Sequence, residues 1–193
     1  MQKDKKLEIT KEKLLKATEE LMDEREDPMQ VTSRQIAART DVKPSMINYC
    51  FGSRENLIHA VFRRKYEVFL KKNRVAEIIN AELPPKEILK RLHFVVIRYL
   101  LENYKLTKAI TSLVLFQRDL GVDSFSFSYV AKHYQGTKTD RECKLIAYEL
   151  STMMQLMVYR KDDLKKDFGV DLESEEELRR FLDLRFDLLL QDL

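Results

Sequence analysis

The side chains that could carry catalysis are few and scattered. The three histidines, His59, His93 and His133, lie far apart in the 193-residue chain. No Glu-x-x-His or His-Glu-x-x-His spacing sets two ligands on one helical face, so neither a di-iron bundle nor a zinc protease is written here. There is no Gly-x-Ser-x-Gly elbow. The four glycines, Gly52, Gly121, Gly136 and Gly169, cannot form a glycine-rich phosphate cradle. Cys50 and Cys143 make no Cys-x-x-Cys pair, and a free cysteine ordinarily behaves as a small hydrophobe. The sequence predicts no enzyme, no metal and no cofactor.

Another chemistry is available between Pro28 and Arg74. Ten basic residues against three acidic ones leave this stretch at +7, while Asp162 to Leu193 stands at −6. A basic segment of this size suits a polyanion. Within it, Pro44 to Cys50 reads as a short helix opened by proline, whose missing N–H costs nothing at a first helical position. Its outward candidates are Lys43, Ser45, Met46, Asn48 and Tyr49, with Ile47 and Phe51 turned inward. The DNA major groove admits one helix, asparagine can pair bidentately with adenine, and lysine can reach guanine or phosphate.

Helices must position these residues. The chain is 44% hydrophobic and has only four prolines, which argues against disorder and against turn-rich β folds. Thr10 reads as the cap of a first helix carrying Leu14, Ala17 and Leu21, ended by Asp27-Pro28. Thr32 or Ser33 caps a short second helix with Ile36 and Ala37 inward. Gly52-Ser53 separates the third helix from a fourth running to about Arg74. The two short helices form a helix-turn-helix pattern over a small core of Leu14, Leu21, Ile36, Val42, Ile47, Phe51, Leu57 and Val61. Helices are further expected over about 86–103, 106–119, 128–133 and 139–166, with a break from Gly121 to Phe127. A last helix is expected after a capping box at Ser174 and Glu177.

The stretch from Thr32 to Leu57 resembles the DNA-binding segment of TetR-family transcriptional repressors. Thr32, Ile36, Ala37, Val42, Ile47, Phe51 and Leu57 match the family pattern, and Arg54 stands where the family often has lysine. Four positions depart from it. Thr40-Asp41 replaces a small Ala-Gly turn, Lys43 replaces a serine cap, Asn48 replaces a tyrosine, and Cys50 replaces a histidine. The resemblance implies an all-α protein with two parts. Residues 1–54 would form a three-helix helix-turn-helix domain, linked by a helix over 53–74 to a larger ligand-binding and dimerisation domain, 75–193. It implies double-stranded DNA as partner, met by Thr32, Ser33 and Arg34 at the start of the second helix and by Lys43, Pro44, Ser45, Met46, Asn48 and Tyr49. Thr32, Tyr49 and Arg54 would clamp the phosphate backbone.

The second domain is expected to hold a small-molecule effector among mixed aromatic, polar and flexible side chains. The candidates are His93, Phe94, Tyr104 and Phe116, with Gln117, Phe127, Met153 and Met157 beside them. The last two helices are apolar around most of their girth, so each needs cover on more than one side. Two such helices from each of two chains would pack as a four-helix bundle. Leu150, Met154 and Met157 on one helix, and Leu178, Leu182 and Leu189 on the other, are the expected contacts of a homodimer. With no apolar leader or span, the chain reads as cytoplasmic. The alternative is a DNA-binding architectural or partner-controlled factor without an effector.

Overall fold

A computed structural model describes residues 2–116 and 125–191. The fold is all-α. In chain order the helices are α1 (Gln2–Asp23), α2 (Ser33–Thr40), α3 (Ser45–Phe51), α4 (Arg54–Lys72), α5 (Val75–Ile79) and α6 (Pro85–Glu102). They continue as α7 (Tyr104–Phe116), α8 (Phe125–Tyr134), α9 (Asp140–Tyr159), α10 (Lys161–Phe168) and α11 (Glu175–Leu189). A single 3₁₀ turn, Pro28–Gln30, joins α1 to α2. No described helix is long and apolar enough to cross a membrane. The expected break from Gly121 to Phe127 lies outside the described residues as far as 124, and its last three residues are already helical, because α8 opens at Phe125 and not near Ser128.

Several boundaries differ from the expectation for identifiable reasons. Thr10 does not open α1; it lies inside, where its hydroxyl donates to the Lys6 carbonyl (3.0 Å), a bond open to threonine within a helix. The preceding lysines and Leu7 extend the helix because nothing there breaks it. The long helix expected over 139–166 is two helices. At the break, the carbonyl of Tyr159 accepts the Tyr104 hydroxyl (2.9 Å). The caps at Thr32 and Thr139 each close a full capping box, with Gln35 and Glu142, whereas Ser174 makes one arm, accepting from the Glu177 N–H.

The chain divides into two compact units. One holds the chain up to Phe69 together with Lys105–Leu113; the other holds Leu70–Tyr104 and the chain from Val114 onward. In the first unit Leu14, Leu21, Ile36, Ile47, Leu57 and Val61 are buried as the periodicity predicts, with Met22, Val31 and Ile58 beside them. Val42 and Phe51, expected in that core, are only half-buried. In the second unit α6 packs against α8, α9 and α11. Its register with α11 is antiparallel. Lys86 meets Asp187 (3.0 Å), Lys90 meets Asp183 (2.7 Å), and Arg179 lies 4.2 Å from the centre of the Phe94 ring. Each step of four residues along α6 is answered by four in reverse along α11, the spacing of one helical face.

Candidate functional site

The short helices α2 and α3 are set by local chemistry. The Thr32 hydroxyl accepts from the Gln35 N–H (3.3 Å), and the Gln35 side chain accepts from the Thr32 N–H (3.0 Å). Helix α2 ends at Asp41, which adopts a left-handed backbone (φ 53°, ψ 36°). The Ala37 carbonyl accepts both the Asp41 and Val42 N–H groups. Pro44 precedes the first helical residue of α3, and its carbonyl accepts the Ile47 N–H (3.1 Å). Ile47 then falls into the core. At 3.6 residues per turn, Ser45, Asn48 and Tyr49 share an arc of about 100° on the opposite side. All three are exposed, Tyr49 at 66%, so Tyr49 is a surface aromatic and not a core one. Lys43, Pro44 and Arg34 are also exposed, while Ser33 and Met46 are half-buried. Among the described residues the side chains of Arg34, Lys43, Asn48 and Tyr49 make no hydrogen bond or ion pair.

The charge of the basic stretch is unevenly available. Counting from Pro28 leaves out α1, whose acids reach across to it. Arg39 pairs with Glu24 (3.1 Å) and Glu20 (3.6 Å), Arg64 with Glu12 (2.6 Å), and Lys65 with Asp23 (2.7 Å) and Glu19 (3.7 Å). Such half-exposed pairs contribute little stability. Their effect here is to cancel charge on the α1-facing sides of α2 and α4. Among the described residues, Lys43 just before α3 and Arg34 at the start of α2 are not paired in this way.

Arg54, expected as a phosphate clamp, is engaged inside the unit. One guanidinium nitrogen donates to the Met29 carbonyl (2.8 Å) and the Val31 carbonyl (3.0 Å). The others donate to the Glu55 carboxylate (2.7 and 3.0 Å), which they hold below the usual carboxylate range. Two residues on, the Asn56 side-chain amide donates to the Phe51 carbonyl (3.0 Å), and the Asn56 N–H bonds to the Ser53 hydroxyl (3.0 Å). Thr32 likewise uses its side chain on the cap. The sequence reading missed Asn56 and Glu55. An asparagine three residues after a capping serine was the available signal.

The effector candidates stand in different surroundings. His93 is buried, donates from Nδ1 to the Leu89 carbonyl (2.9 Å), and lies against the rings of Phe125 (5.3 Å) and Phe186 (5.4 Å). Burial pushes its pKa down to about 4, so its imidazole is neutral. Phe94 is covered by Arg179, and Phe127 carries the Lys144 ammonium 5.3 Å from its ring centre. Tyr104 carries the Lys161 ammonium at 4.6 Å besides its bond to Tyr159. Met153 and Met157 are half-buried. Phe116 is 82% exposed at the end of α7, and Gln117 lies outside the described residues. Among the described residues no group of His, Cys, Asp or Glu side chains could hold a metal ion.

The expected dimer contacts need correction. Leu150, Met154, Leu178 and Leu182 are buried within the single chain, and Met157 and Leu189 are half-buried. They belong to the inner stripes of α9 and α11. The outer stripes are apolar as well. On α9 they carry Leu145, Tyr148, Leu156 and Tyr159; on α11, Leu184 (59% exposed) and Leu188 (57%). Which of two apolar stripes faces inward is not visible in either helix alone. The marker was the spacing of Asp183 and Asp187, which matches that of Lys86 and Lys90.

Comparison with known proteins finds no matching family model and no matching curated protein.

Proposed function

We propose that this chain is a sequence-specific, DNA-binding transcriptional regulator of the TetR type, acting as a homodimer on a palindromic site. The observation that carries this reading is the outward side of α3. Ser45, Asn48 and Tyr49 stand exposed there, as do Lys43 just before α3 and Arg34 at the start of α2, while Arg39, Arg64 and Lys65 of the same unit are engaged by α1 acids. Asparagine and tyrosine supply base-edge and phosphate contacts, and Lys43 and Arg34 supply charge. The second copy would cover the outer stripes of α9 and α11, giving two α3 helices for two half-sites about one helical turn apart. The resemblance adds a small-molecule effector in the second unit and repression as the outcome. An effector preferring another spacing of the two α3 helices would lower DNA affinity by its differential binding to the two states. A regulator of this kind acts in the cytoplasm and contains no catalytic step.

Selection from a random duplex pool at near-physiological salt tests the reading. A recovered palindrome with half-sites about one turn apart is the expected result. Enrichment without a motif, lost steeply as salt rises, would favour an architectural factor instead. No enrichment by a folded chain would sink the DNA reading altogether.

A further inference from the structure

The first turn of α4 grips both ends of the α2–α3 pair. Arg54 reaches back to the carbonyls of Met29 and Val31, in the segment that delivers the chain into the Thr32 cap. Asn56 reaches to the carbonyl of Phe51, the last residue of α3. Glu55 fixes the guanidinium from its other side, leaving it without a free edge for an outside anion. A planar fork serving two carbonyls and a carboxylate at once is a task lysine cannot reproduce, because its ammonium is a compact point charge. Resting on the DNA reading above, we propose that Arg54 is a positioning residue of the DNA-binding surface: it clasps α4 to the 29–31 segment and so sets where the N-terminus of α2 and the outward side of α3 stand. Neither Arg54 nor Asn56 contacts DNA in this scheme. Any displacement of the start of α4 reaches both short helices through these two side chains.

The test compares Arg54→Lys and Arg54→Met with wild type in the full chain. The DNA probes are the duplex that wild type selects from a random pool and a scrambled duplex of equal length. Both variants are expected to bind the selected duplex at least tenfold more weakly and the scrambled one as before, with an unchanged slope of affinity against salt. A different pattern marks a phosphate contact. Arg54→Lys would then match wild type, while Arg54→Met would weaken binding to both duplexes and flatten the slope by about 0.9 per lost contact. That result overturns the proposal. So does wild-type affinity of both variants well below their melting temperatures, which would leave Arg54 supporting the fold alone. Amide hydrogen exchange gives a readout without DNA. The amides of Gln35, Ile36 and Gly52 should exchange faster in the variants, while those in the middle of α1 hold. No change at those amides overturns the clasp, whereas a wild-type chain that selects no DNA defeats only the reading of function. If Arg54→Met does not fold, Arg54→Lys and Asn56→Ala carry the same comparison.

Discussion

His93 keeps a neutral imidazole, buried against two aromatic rings and already bonded to one carbonyl. Its pKa falls from about 6.5 in the unfolded chain to about 4 when folded. Above pH 6.5 both states are neutral and its contribution to stability is constant. Between 6.5 and 4 the unfolded state takes up the proton first, so stability falls with pH, by roughly 3 kcal/mol across the window. Denaturant melts of wild type and His93→Gln at pH 7.5 and 5 check this; the variant should lose less stability on acidification. Tyr49 presents the opposite case. Because it is exposed, Tyr49→Ala should leave the melting temperature within about 2 °C, a surface substitution costing under ~0.5 kcal/mol. It should weaken binding to the selected duplex by about 1 kcal/mol or more. A large drop in melting temperature would show that Tyr49 packs against something.

At the scale of elements, the turn between α2 and α3 stands on one left-handed residue that is not glycine. Asp41 is among the side chains that tolerate this region, but a β-branched residue is not. Asp41→Gly should therefore match or slightly exceed wild type in stability, while Asp41→Val should lose about 1–2 kcal/mol. A valine variant as stable as wild type would show that the turn has another geometry in solution. The turn was legible in sequence as Thr40-Asp41 in place of Ala-Gly, and so was the capped start of α2, because a cap is local chemistry. Hidden from the sequence were facts that depend on partners far along the chain. Glu12, Glu19 and Asp23 look like a solvated face until α4 lies beside them. Arg54 looks like a surface cation until residues 29–31 come within reach. On α11 the inner and outer leucines read alike. The substitutions that separate them follow. Leu182→Ala should cost about 2–5 kcal/mol as a core truncation. Leu184→Glu with Leu188→Glu should keep helix content and convert a dimer to a monomer in sedimentation. A dimer that survives the double change would move the interface off this face.

At the scale of the whole molecule, the unit bearing α2 and α3 is not a continuous piece of sequence. Leu106, Thr107, Ile110 and Thr111 of α7 are buried, and Lys105–Leu113 belongs with the N-terminal unit. Lys105 also reaches Glu26, three residues beyond the end of α1 (2.5 Å). The consequence lies in the order of synthesis. A chain emerging from the ribosome can form α1 to α4 early, but the unit is complete only once residue 113 has cleared the exit tunnel. During that interval the surface awaiting α7 is open to water and to other nascent chains. A fragment ending at Arg74 should therefore be soluble only poorly and melt without a cooperative transition. A fragment that melts sharply would show that the first 74 residues close their own core.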